Sequence, residues 1–170
     1  MSSNPRRLLP LLGMLALAGC GFTPLYGQDG RAGVAQRLDT VAVGNIPERP
    51  GQMLRESLET QLHTAGAPDR ELYSLTVNYT IATAGIGVQQ DTATTRNRLT
   101  ATANWVLSPI GGGAPLATGT ATTENAANVV DQQYFALTLE TGTVDKQLAS
   151  TIAAQITSQV AAYFKTHPGA

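Results

Sequence analysis

The stretch "LYSLTVNYTI", Leu72–Ile81, alternates almost without fault. Tyr73, Leu75, Val77, Tyr79 and Ile81 fall on one face, and Ser74, Thr76, Asn78 and Thr80 on the other. A period of two built from aromatic and branched residues predicts a strand with one packed side and one polar side. The pattern carries on towards Ile86 and Val88, meets a polar turn around Gln89–Asp91, and then resumes. Leu99, Ala101, Ala103, Trp105 and Leu107 alternate with Arg98, Thr100, Thr102 and Asn104, which predicts a second long strand antiparallel to the first by hairpin logic. "SPIGGGAP", Ser108–Pro115, is a turn cluster, and Leu116–Thr123 is a third strand of the meander.

Outside the meander the period changes. Upstream, Leu38–Ile46 reads as a short strand ended by Pro47 and Pro50, and Gly51–Ala65 places Leu54, Leu58 and Leu62 four residues apart, an amphipathic helix stopped by Gly66 and Pro68. Downstream, Leu148, Ile152, Ile156, Val160 and Tyr163 form a stripe at helical spacing. Phe135, Leu137 and Leu139 extend it, with Gly142 a weak point. The expected fold is therefore α+β: a mainly antiparallel sheet of about four strands, with two helices packed on one face.

The N-terminus has a different character. Arg6 and Arg7 precede an apolar run, Leu8–Leu17, that is too short to span a bilayer and has the layout of a secretory signal. It ends in Leu17-Ala18-Gly19-Cys20, which looks like the lipobox of bacterial lipoproteins, and Cys20 is the chain's only cysteine. The expectation is a lipoprotein signal peptide over 1–19, a diacylglycerol and an N-acyl chain on Cys20, a glycine-rich extended tether over 20–37, and one domain over 38–170. Several acyl chains hold a protein on a membrane stably without a transmembrane helix. With Cys20 acylated no disulfide is available, and with Gly21 where an aspartate would be the inner-membrane retention signal, the expected location is the periplasmic side of the outer membrane.

Composition argues against most chemistry. The chain has 11 Lys and Arg against 12 Asp and Glu, and the segment before Cys20 holds two of the cations and none of the acids. The remainder is mildly acidic, with no electrostatic footprint for nucleic acid. The two histidines, His63 and His167, lie far apart, the carboxylates are scattered, and no phosphate-binding loop or dinucleotide fingerprint occurs. No catalytic residues, metal or free cofactor are expected, so the protein reads as a binding, positioning or plugging element. Two cations stand out on the meander. Arg96 and Arg98, two apart on one strand, point to the same side and form a candidate phosphate clamp for a glycolipid.

"CGFTPLYG", Cys20–Gly27, resembles the mature start of the LPS-assembly lipoprotein family LptE, in its alphaproteobacterial form. "IPERPGQMLRESLETQL" (Ile46–Leu62), "TTRNRLTATANWVL" (Thr94–Leu107) and "NVVDQQYFALT" (Asn128–Thr138) follow in the family's order. The resemblance implies a non-enzymatic outer-membrane subunit that plugs and helps assemble the LptD β-barrel, with LptD and lipopolysaccharide as partners. One departure is compositional: the polar residues of Gly142–Ala162 are chiefly Thr, Ser and Gln, with Lys146 its only cation. The alternative reading is a generic envelope lipoprotein that scaffolds another transporter or secretion complex.

Overall fold

The computed structural model describes residues 28–64, 70–88, 94–128 and 134–168. The signal segment, Cys20 and the Gln89–Asp91 turn lie outside the described residues. The chain divides into two units, Met1–Arg31 and Ala32–Ala170. The second carries the sheet.

Its elements run α1 (Gln28–Asp39), β1 (Val41–Val43), α2 (Glu48–Leu62), β2 (Tyr73–Val88), β3 (Thr94–Pro109), β4 (Ala117–Asn128) and α3 (Tyr134–Thr166). The four strands lie in chain order. β2, β3 and β4 form the expected antiparallel meander, with Val77 opposite Trp105 and Trp105 opposite Gly119. β1 instead pairs parallel to β2, with Val41 opposite Tyr73 and Val43 opposite Leu75. The sheet is thus mixed. The physical reason is the connection: β1 reaches β2 through a helical crossover, α2, and such a crossover returns the chain in the same direction.

There are three helices among the described residues, not two. Residues 28–37, read above as extended tether, belong to α1. Its Leu38 is buried and its Val34 packs against the core. Arg37 then fixes the helix to the far end of the chain. It donates from Nη1 to the carbonyls of Phe164 (3.3 Å) and His167 (2.7 Å), and from Nη2 to the Tyr73 hydroxyl (3.2 Å). The guanidinium also lies 4.4 Å from the Phe164 ring centroid. A cation at the carbonyl end of α3 is favoured by the helix dipole and satisfies acceptors the helix leaves open.

α2 begins three residues earlier than its leucine pattern suggests. Pro50 sits in its first turn, where the amide hydrogen has no helical partner to lose. Gly51 is buried there because the backbone of residue 46 passes close. A Cβ on Gly51 would lie 2.7 Å from Cγ2 of Ile46 and 2.9 Å from its carbonyl oxygen. Leu54, Leu58 and Leu62 of α2 and Leu148, Ile152, Ile156 and Val160 of α3 are all buried against the odd-numbered residues of β2 and β3. Burial of each such side chain contributes about 1.5–3 kcal/mol. Phe164 rather than Tyr163 ends the α3 stripe, buried to 1% exposure, and α3 runs unbroken through Gly142. Gly111, Gly112 and Gly113 all take positive φ in the β3–β4 turn, a backbone that L side chains disfavour.

Candidate binding face of the sheet

Since the odd residues of β2 and β3 face the helices, their even residues form the opposite face, which no described helix covers. Thr76, Asn78, Thr80, Arg96, Arg98 and Asn104 are all exposed on it. The strand period therefore brings both predicted arginines to one side, as their spacing requires. Arg96 stands opposite Gly87 and Asn128, and Arg98 opposite Ala84 and Ala126, at the end of the sheet away from the β3–β4 turn. The neighbours of Arg98 across the strands are alanines, so its guanidinium is not crowded by bulk.

Reasoning from sequence missed an acidic neighbour. Glu124 of β4 lies diagonally across from Arg98, with Arg98 Nε 3.9 Å from its Oε2 and both side chains more than half exposed. The Thr100 hydroxyl donates to the other carboxylate oxygen at 3.3 Å. An exposed pair this long contributes at most about 1 kcal/mol. The signal that would have found it is the β3–β4 register, because diagonal neighbours across strands lie within reach of long side chains.

Both histidines take structural positions. His63 Nε2 donates to the Val41 carbonyl at 2.9 Å, tying the end of α2 to β1, and His167 stacks on Tyr163 at 4.4 Å between ring centroids. Among the described residues no group of three or more His, Cys, Asp or Glu side chains is placed to hold a metal ion. No described helix is long and apolar enough to cross a membrane.

On the helix-covered side, the glutamines of α3 meet the outer edge of β4. Gln155 accepts the Thr122 amide hydrogen and donates to the Thr122 carbonyl, both at 3.2 Å, as a neighbouring strand would. Gln159 donates to the Thr120 carbonyl at 3.2 Å and accepts from Trp105 Nε1 at 2.8 Å. Gln147 accepts from the Asn125 side chain at 2.9 Å. The Gln-rich composition of this helix thus has a structural use, which is to satisfy the exposed edge of the sheet. Further along, the Tyr79 hydroxyl is buried and has no hydrogen-bond partner among the described residues. Burial, and secondarily the Asp145 carboxylate, pushes its pKa up to about 12. Burial likewise raises the Asp145 carboxyl above its ordinary value, against a smaller opposing pull from Arg49.

A four-stranded mixed sheet with one face under helices and, among the described residues, a polar second face defines a two-layer α+β domain. Comparison with known proteins makes this particular. The chain matches the family "LptE: Lipopolysaccharide-assembly" over residues 38–160 and belongs to it. No curated protein matches the chain. Among solved structures, a lipoprotein from Caulobacter crescentus CB15 is similar, with 24% identity and a TM-score of 0.62 over 78% of this chain and 96% of that one. A minor lipoprotein from Acinetobacter baumannii has 17% identity and a TM-score of 0.57 over 72% and 91%. The rare lipoprotein B of Shewanella oneidensis has 10% identity and a TM-score of 0.54 over 72% and 92%. At these identities the structures establish the shared fold.

Proposed function

We propose that this protein is a non-enzymatic lipoprotein of the outer membrane, anchored on the periplasmic side by acyl chains on Cys20, that plugs the LptD β-barrel and helps it assemble. Residues 1–19 are its signal peptide, and the acylated Cys20 begins the mature chain. The observation that carries the reading is membership of the lipopolysaccharide-assembly family over residues 38–160. The open sheet face supports it, since its hydroxyls and amides suit a sugar-rich or polar barrel surface. Arg96 and Arg98 supply cations at the end of that face for the phosphates of lipopolysaccharide, which a guanidinium fork matches geometrically.

Affinity purification of the tagged full-length protein from outer membranes tests this. A large β-barrel should co-purify, and Cys20→Ala should abolish fatty-acid labelling. Changing Arg96→Ala and Arg98→Ala together should weaken lipopolysaccharide binding while the barrel complex persists. Recovery of soluble or inner-membrane partners alone would favour a generic scaffolding lipoprotein. Unchanged glycolipid binding would reject the arginine site.

A further inference from the structure

The two edges of the sheet are treated differently. On β4, Thr120 and Thr122 turn their backbone groups outward, and glutamines of α3 meet them. On β2 no described element meets the corresponding groups beyond β1. Gly44 donates to the Leu75 carbonyl and Tyr73 donates to the Thr40 carbonyl, so the odd residues of β2 turn their amides and carbonyls towards the β1 side. β1 covers only Tyr73–Leu75, because the chain turns off the sheet at Pro47 into α2. By the alternation of a strand, Val77, Tyr79, Ile81 and Thr83 present their backbone groups to an edge on which no described strand lies. Natural edges are protected by charge, proline or a covering element. β2, "YSLTVNYTIATAGIGV", has no charged residue and no proline along its length.

We propose that the Val77–Thr83 edge of β2 takes an extended, uncharged segment of the partner β-barrel protein as a fifth strand. This rests on the partner reading above. The added strand lies in line with β1, and its inward side chains cover Tyr79 and Ile81, which are only half-buried. The unpartnered Tyr79 hydroxyl lies on the same side of the strand. The size of the edge selects this occupant over a second copy of the chain. Seven residues span about 23 Å, one strand wide, a strip too narrow for the roughly 1,200–2,000 Å² that a specific stable interface buries. Such a strip suits a partner already held nearby by other contacts, where the local concentration is high. The absence of charge on the edge favours an uncharged segment, since a charged one would lose solvation without gaining a counter-charge.

Residue-resolved amide hydrogen exchange on the full-length protein, free and in complex with the co-purified barrel, tests this. In the free protein the amides of Asn78, Thr80 and Ala82, which face β3, should be protected, while those of Val77, Tyr79, Ile81 and Thr83 exchange quickly. In the complex the odd-numbered set should become protected as well. Thr83→Pro removes one outward amide that the fold does not use. It should leave the circular dichroism intact and lower barrel recovery by about tenfold, the factor expected for a lost edge hydrogen bond and the exclusion of its neighbour. Fast exchange of the odd set in an intact barrel complex would overturn the proposal and leave the partner reading standing. Failure of any barrel to co-purify would overturn both. Protection of the odd set in the free protein would also overturn it, assigning the edge to a second copy if concentration-dependent and to the chain's own N-terminal residues if not.

Discussion

Gly119→Ala is the smallest change with a large expected effect. A Cβ at Gly119 would lie 2.7 Å from Cε2 and Cζ2 of Trp105 and 2.8 Å from its Nε1. Ordinary carbon contacts are about 3.5–4 Å, so the indole must move by roughly 1 Å. It has little room to do so, being 3% exposed and tied through Nε1 to Gln159 at 2.8 Å. A displacement of this size takes that bond beyond hydrogen-bond range. Overpacking costs about 1–3 kcal/mol and the lost bond about 1 kcal/mol, against a gain of about 0.5–1 kcal/mol for replacing glycine in a strand. The net destabilisation is about 1–3.5 kcal/mol, which lowers the Tm by about 4–14 °C for a domain of this size. Trp105 is the only tryptophan, so its emission reports on the site directly during urea unfolding. Because Gln159 also holds the Thr120 carbonyl, the variant should expose the β4 edge and aggregate more readily. In a Trp105→Phe background the indole atoms that clash are absent, so Gly119→Ala should cost at least about 1 kcal/mol less. An unchanged Tm with unchanged emission would refute the packing argument.

Three further changes test the helical layer and what it buries. Arg37→Ala removes two hydrogen bonds and a cation–π contact that join α1 to the end of α3, and a third hydrogen bond to Tyr73 of β2. It should destabilise the domain by about 2–3 kcal/mol in urea titration, with Arg37→Lys recovering only part because an ammonium lacks the planar fork. In the fold the Tyr79 pKa is raised from 10.0 to about 12, so stability should fall as pH rises from 10.0 towards 12, and Tyr79→Phe should flatten that slope. The Asp145 carboxyl is also raised, which makes its ionised form unfavourable in the fold. Asp145→Asn should therefore raise the urea midpoint at neutral pH, with the gain disappearing in acid below the ordinary carboxylate range. Equal midpoints at neutral pH would contradict the dominance of burial over Arg49.

The legible parts of this fold are those set by local period. The alternation from Tyr73 and from Leu99 defines β2 and β3, and leucines four apart define α2, because each pattern reports which side of an element is packed. α1 was hidden because Gly30 and Gly33 look like a linker, and only Val34 and Leu38 are spaced for a helix. What holds it is Arg37, whose partners Phe164 and His167, at and just past the end of α3, are 127 and 130 residues away in the chain. Likewise the direction of β1 follows from the crossover, and the use of Gln155 and Gln159 from a strand edge that only the assembled sheet creates. At the candidate site the shared side of Arg96 and Arg98 was readable from their spacing. Glu124 was not, since it meets Arg98 only through the β3–β4 register.

Under the proposed phosphate reading, Glu124 sets Arg98 apart from Arg96. Arg98 has a carboxylate at 3.9 Å, whereas Arg96 lies farther along the strand towards the open end of the sheet. The Arg98–Glu124 pair is exposed on both sides, so it holds the guanidinium with no more than about 1 kcal/mol. A phosphate that makes a charge-assisted hydrogen bond contributes about 1.5–3 kcal/mol and displaces it. Glu124 nevertheless repels the same phosphate across a short distance, and its carboxylate must be shed by Arg98 before a fork forms. Glu124→Gln keeps an acceptor for the Thr100 hydroxyl while removing the charge. If the arginines bind the phosphates of lipopolysaccharide, this change should tighten binding by about two- to fivefold at low salt, and the gain should shrink as salt screens the exposed charges. In an Arg98→Ala background the gain should fall, because the competition for that guanidinium is gone. Weaker binding by Glu124→Gln would mean that the carboxylate itself contacts the ligand, and the phosphate clamp would have to be abandoned.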